Sequence, residues 1–86
     1  MTLEEQFEQA SKDVHTLKER PGNDVLLNLY SLHKQASVGD VTGEKPGMFD
    51  FIAAAKYNAW ATKKGLTRDE AMQRYVDLVN SLLAEN

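Results

Sequence analysis

Apolar residues recur along this chain at the three- and four-residue intervals of amphipathic helices, and no stretch alternates as a half-buried strand would. Leu3, Phe7, Ala10, Val14 and Leu17 form the first such stripe, opened by Thr2 and Glu5 at capping-box spacing. Arg20-Pro21-Gly22-Asn23 reads as a helix stop, a turn and a new N-cap at Asn23. The pattern predicts a second helix from about Asp24 to Val38, carrying Leu26, Leu29, Tyr30, His33 and Ala36, with Gly39 closing it in the left-handed conformation. Residues 39 to 47 read as a loop long enough to cross between non-adjacent helices, so a simple up-down order is not required. A third helix is predicted from near Asp50 through Ile52, Ala55, Ala59 and Trp60 to Lys63-Lys64, stopped by Gly65. Thr67 and Glu70 repeat the capping box before a last stripe of Ala71, Met72, Tyr75, Val76, Val79, Leu82 and Leu83. The expectation is an all-α fold of four helices, without strands or repeats.

Composition narrows this picture. The chain has 86 residues, room for one domain, taken as residues 1–86, and one modest core. Its uninterrupted apolar runs fall far short of the ~20 residues that cross a bilayer, so no stable membrane insertion is expected. Glu4, Glu5, Glu8, Lys12 and Asp13 stand where a secretory leader would be apolar. A free-standing, cytoplasmic chain is the resulting expectation. With no cysteine, disulfides, thiolate catalysis and cysteine zinc sites are excluded, and two histidines without periodic carboxylate partners give no reason to expect a metal. A net charge of −3 argues against nucleic acid and against general attraction to acidic membranes. Any basic patch has to be local, and Lys34 and Lys56 are its candidates.

On a helix, Tyr30, His33 and Lys34 share a face, placing two rings and a fixed cation together. Such a face suits an aromatic, anionic ligand, and a nucleotide is both. Taken alone, lysines at these positions are more often solvated charges and the tyrosines core-edge residues. Phe7, Val14, Leu29, Trp60, Val76 and Val79 read as core, Trp60 among them rather than as a stacking platform. Catalysis has little support. Ser31 or Ser37 with His33 offers no third orienting group and no oxyanion hole, and Asp40 and Glu44 read as turn or cap residues.

The blocks Leu29-Tyr30-Ser31, Lys34-Gln35-Ala36, Val38-Gly39-Asp40, Lys45-Pro46-Gly47-Met48, Ala55-Lys56, Ala59-Trp60 and Tyr75-Val76 stand in order along the chain. Together they closely resemble the acyl-CoA-binding protein family, over nearly the whole length from Phe7 to about Leu83. The resemblance implies a four-helix bundle in up-down-down-up order. It also implies a soluble, monomeric, non-enzymatic carrier of long-chain fatty acyl-CoA that needs no cofactor and delivers its ligand to acyl-CoA-using enzymes. It implies that Tyr30, Lys34 and Lys56 meet the phosphorylated ribose of CoA, that Tyr75 lies against the adenosine, and that the acyl chain runs near the first helix beside Phe7, Ala10 and Met48. Three positions depart from the usual family pattern: His33 replaces a tyrosine that stacks on adenine, His15 replaces a lysine, and Tyr57 replaces a tryptophan. If either histidine meets a CoA phosphate, binding should strengthen as pH falls from about 8 to about 6. The departures at His33 and Tyr57 are the support for a rival reading, a helical protein-interaction module with weakened ligand binding. An acyl-CoA hydrolase ranks third.

Overall fold

The computed structural model describes residues 1–85, so Asn86, the last residue of the expected domain, lies outside the described residues. Four α-helices and one short 3-10 turn make up its regular structure among these residues: α1 (Leu3–Asp13), the 3-10 turn (Val14–Thr16), α2 (Asn23–Ser37), α3 (Phe51–Ala61) and α4 (Arg68–Glu85). Both capping boxes are present. The Thr2 hydroxyl accepts from the Glu5 amide at 3.1 Å while Glu5 accepts from the Thr2 amide at 3.0 Å, and Thr67 and Glu70 repeat the exchange at 3.1 and 3.3 Å. Gly39 and Gly65 adopt φ of 98° and 95° after α2 and before α4, the left-handed geometry that glycine takes without strain.

Three boundaries differ from the periodic reading. The first α-helix stops at Asp13, and Val14–Thr16 tighten into a 3-10 turn, a common way for a helix end to release the chain into a connection. The second helix takes Asn23 as its first residue. Its N-cap is Gly22, whose carbonyl accepts from the Leu26 amide at 3.0 Å. Asp50 caps α3 by accepting from the Ala53 amide at 3.2 Å. That helix ends at Ala61, and Lys63 and Lys64 fall in the turns that follow it.

Side-chain pairs fix the directions of the helices. Lys56 lies over Tyr30 and Lys34 over Trp60, so numbers rise together along α2 and α3 and the two run parallel. The Glu4–Arg68 ion pair at one end and Ala10 packed with Val76 and Val79 further on make α1 parallel to α4. His33 meets Tyr75 while Gln35 reaches back to the Leu66 carbonyl, so α2 is antiparallel to α4. The order is therefore up-down-down-up, and residues 38–50 are the long crossover that a parallel α2–α3 pair requires. The core lies between α1, α2 and α4 around Ala10, Leu29, Leu32, Tyr75, Val76 and Val79, with Ala36, Ala71 and Met72 as a second cluster. α3 packs on α2, and the residue it buries is Trp60.

Candidate functional site

α2 forms one wall of each of two clefts. The first, of about 340 Å³, opens between the 3-10 turn, α2 and α4, where Val14, His15, Tyr30, His33, Lys34 and Tyr75 line it. His33 and Tyr75 of its lining meet Phe7 in a cluster of rings. Phe7 and His33 are 5.0 Å apart between centroids, Phe7 and Tyr75 5.1 Å, and His33 and Tyr75 5.5 Å, in tilted or edge-on arrangements that suit aromatic quadrupoles. Burial pushes the Tyr75 phenol above its ordinary pKa, so it stays neutral. Burial, and then the Lys34 charge, lowers the His33 pKa, so the imidazole is neutral near pH 7.

The second cleft, of about 470 Å³, lies between α2 and α3 and is walled by Leu26, Leu27, Tyr30, Phe51, Ile52, Ala55 and Lys56, with Arg20 at its edge. Tyr30 and Leu26 belong to both clefts and join them. Two ammonium groups stand along this junction: Lys56 Nζ is 5.3 Å from the Tyr30 ring centre and Lys34 Nζ is 5.3 Å from that of Trp60. Cation–ring contacts of this kind contribute about 0.5–1 kcal/mol at exposed sites. They hold each cation in place yet yield to a stronger anion. Trp60 is core as expected, 8% exposed with its indole N–H donating to the Gly39 carbonyl at 2.8 Å, and its face also seats Lys34.

The structure thus brings Tyr30, His33, Lys34, Tyr75 and His15 to one cleft and sets Lys56 across the Tyr30 ring. It does not gather the three residues expected beside an acyl chain. None of them lines either cleft: Phe7 packs on the His33 and Tyr75 rings, Ala10 is 4% exposed within the core, and Met48 stands 76% exposed before α3. The physical reason is that the spacing that puts Phe7 and Ala10 on one face makes it the face that packs on α4. The elongated apolar space lies instead between α2 and α3. Leu26, Leu27, Phe51, Ile52 and Ala55 were not singled out as site residues from the sequence. The signal for them was the apolar excess at the start of α3, where Ile52 is 74% exposed.

Tyr57, in the position of a usual tryptophan, donates its hydroxyl to the Gly43 carbonyl at 3.4 Å and so ties the crossover to α3. The serines offer no nucleophile. Ser31 Oγ is buried and donates to the Asn28 carbonyl at 2.9 Å. Ser37 Oγ spends its proton on the His33 carbonyl at 2.7 Å, so its 3.3 Å contact with His33 Nδ1 cannot be the hydroxyl donating to a base. Among the described residues no cluster of His, Asp or Glu has the arrangement to hold a metal ion.

Residues 4–79 match the family model described as acyl-CoA-binding protein. The chain is 53% identical over 85 residues to acyl-CoA-binding protein homolog 1 of Caenorhabditis elegans, covering 99% of this chain and 96% of that one. The crystal structure of acyl-CoA-binding protein 2 of Oryza sativa superposes with a TM-score of 0.94 at 39% identity, over 98% of this chain and 93% of that chain. Enoyl-CoA delta isomerase 2 of Rattus norvegicus is 49% identical over 79 residues, which span 92% of this chain and 20% of the isomerase.

Proposed function

The chain belongs to the acyl-CoA-binding protein family, and from that membership and the geometry of its clefts we propose that it carries long-chain fatty acyl-CoA thioesters without altering them. The observation that carries the reading is the junction at Tyr30. On one side of that ring lies a cleft of rings with a cation at its rim, and on the other an apolar trough with a second cation. A ligand with an aromatic, polyanionic head and a greasy tail fits that division. In this reading the ammonium groups of Lys34 and Lys56 and the Tyr30 phenol meet the phosphorylated ribose. His33 and Tyr75 offer edges to the base, and His15 stands at the entrance. The tail runs along Leu26, Leu27, Phe51, Ile52 and Ala55 rather than beside Ala10.

Magnitudes favour the tail as the larger gross contribution. About fifteen methylenes at ~0.8 kcal/mol each give ~12 kcal/mol if all are buried, against an association cost of ~4 to 15 kcal/mol. Base stacking adds about 1–3 kcal/mol, and the charged contacts supply orientation as well as affinity. The engaged serines and the lack of a group orienting His33 support carriage over hydrolysis. The cytoplasm, where acyl-CoA-using enzymes could receive the ligand, is the compartment this reading fits.

Calorimetry with palmitoyl-CoA and free CoA tests the proposal. Palmitoyl-CoA should bind far more tightly than CoA, and Lys34→Ala and Lys56→Ala should each weaken it by about tenfold or more, the scale of a lost charge-assisted contact. The chain's sole tryptophan adds an optical readout, since withdrawal of Lys34 from the Trp60 face should change its emission on binding. Equal affinity for CoA and its palmitoyl ester would refute the tail assignment. Thiol release from palmitoyl-CoA at a catalytic rate would favour the hydrolase.

A further inference from the structure

His33 is held by contacts that fix both the plane of its ring and the place of its proton. The ring centre lies 5.0 Å from that of Phe7 and 5.5 Å from that of Tyr75, tilted against one and edge-on to the other, so side chains of α1 and α4 set its plane. The proton is set by Ser37, one helical turn further along α2, whose Oγ stands 3.3 Å from His33 Nδ1. That hydroxyl already donates its single proton to the His33 carbonyl at 2.7 Å. Toward Nδ1 the Ser37 oxygen offers only a lone pair, so the ring nitrogen facing it is the one that carries hydrogen. Near pH 7 the ring is neutral, because burial and then the Lys34 charge lower its pKa. A neutral imidazole with its proton on Nδ1 has its lone pair on Nε2.

That lone pair is available to a ligand. Nε2 has no protein partner and stays open, unlike Gln35 Oε1, the one unpartnered side-chain polar atom sealed from solvent among the described residues. The cleft that His33 lines is the one between the 3-10 turn, α2 and α4. Other polar groups there are less decided. The hydroxyls of Ser11, Tyr30 and Tyr75 rotate to donate or accept, the Lys34 ammonium donates only, and His15 stands exposed. Nε2 of His33 is an acceptor whose direction and protonation are both set before a ligand arrives. A base edge with an exocyclic amine donates to such an atom, whereas an edge with an oxo group in its place sets two acceptors against each other.

We propose that His33, held by Ser37 with its proton on Nδ1, selects a ligand base that carries an exocyclic amine, of the adenine type, over one that carries an oxo group there. The tyrosine usual at this position has a hydroxyl that turns to suit either edge, so the selection belongs to the histidine. Ser37 is a positioning residue that acts through the tautomer it imposes. The selection rests on the carrier reading, in which the base lies at this cleft. The place of the proton does not.

The test is calorimetry with two probes at about pH 7.5, where the imidazole is neutral, joined to long-range proton–nitrogen NMR of the His33 ring. The probes are palmitoyl-CoA and the palmitoyl thioester of a CoA with hypoxanthine in place of adenine. The parent should bind the adenine probe about three- to tenfold more tightly, the scale of one neutral hydrogen bond. Its spectrum should show hydrogen on Nδ1 and a bare Nε2. His33→Phe keeps a flat ring without the acceptor, so its two affinities should come within about twofold of each other. Ser37→Ala leaves the ring in the cleft but frees the proton to move to Nε2, so the preference should shrink and the spectrum should shift toward the other tautomer. Ser37 is exposed, and its loss leaves the core untouched. If Ser37 only secures the end of α2, its replacement lowers the melting temperature and moves neither readout, which would overturn the proposal. So would a parent proton on Nε2, or a preference that survives in His33→Phe. Tight binding of both probes without preference would overturn the selection and leave the carrier reading standing, whereas no heat from either probe would sink that reading and the selection with it.

Discussion

His33 occupies an environment that its position in the sequence does not disclose. Its place on the Tyr30–Lys34 face follows from helical spacing, but the ring contacts with Phe7 and Tyr75 come from two other helices. Those neighbours bury the imidazole, and burial, followed by the adjacent Lys34, lowers its pKa. The consequence for stability has a definite sign. Between the lowered folded value and the ordinary one near ~6.5 the unfolded chain binds more protons, so stability rises with pH across that window. The contribution is whole above ~6.5, declines as pH falls below it, and is gone beneath the folded value. Urea unfolding at about pH 7.5 and about pH 5.5 should show a larger loss for the parent than for His33→Gln, with Lys34, Tyr75 and His15 unchanged around the site. Equal losses would remove His33 from the account. Any strengthening of CoA binding by its protonation has to work against the same burial, so it should set in toward the lower end of the pH 8 to 6 range.

At the level of elements, a polar clasp joins the end of α2 to the start of α4. The Gln35 side-chain amide, 1% exposed, donates to Asp40 Oδ1 at 2.8 Å and to the Leu66 carbonyl at 3.0 Å, and the same Asp40 oxygen accepts from the Gly65 amide at 2.9 Å. Both partners of the Gln35 nitrogen are acceptors, which fixes the amide's orientation and leaves its oxygen without a protein partner among the described residues. Gln35→Ala should destabilise the fold by about 1–3 kcal/mol through the two part-buried hydrogen bonds it removes, measured by thermal or urea unfolding, with little change in palmitoyl-CoA affinity. The Gly65 amide, then Gln35, holds the Asp40 carboxyl below its usual pKa. Its stabilisation is therefore present above the ordinary value near ~4 and disappears as pH falls through the lower folded one. Asp40 is legible as a turn residue, but its Gly65 partner is hidden, because that glycine lies in a turn 25 positions away. The stripes of α1 and α4 were legible for the opposite reason: each packs through one continuous face, so periodicity alone identifies Ala10, Met72, Tyr75, Val76 and Val79. α3 was the least legible, because a helix that packs on one neighbour needs to bury little beyond Trp60 and its remaining apolar residues serve a cleft.

For the whole molecule, that uneven packing sets where it should open. α4 buries Ala71, Met72, Tyr75, Val76 and Val79 and touches both α1 and α2, whereas α3 rests on α2 and is tethered by the Trp60 and Tyr57 hydrogen bonds to the crossover. Local opening free energies follow buried apolar contact, so α3 and the crossover should exchange their amide hydrogens at a lower cost than α4. A ligand whose tail fills the α2–α3 cleft while its phosphates recruit Lys34 and Lys56 adds the contacts that α3 lacks. Hydrogen exchange followed by mass spectrometry should therefore find residues 51–61 weakly protected in the free protein and strongly protected with palmitoyl-CoA, while 71–79 change little beyond the global shift that ligand binding imposes on any two-state fold. Free CoA, which leaves the trough empty, should protect the first cleft and spare most of α3. Uniform protection along the chain with both ligands would mean that the tail does not use the α2–α3 space, and the division of labour at Tyr30 would have to be abandoned.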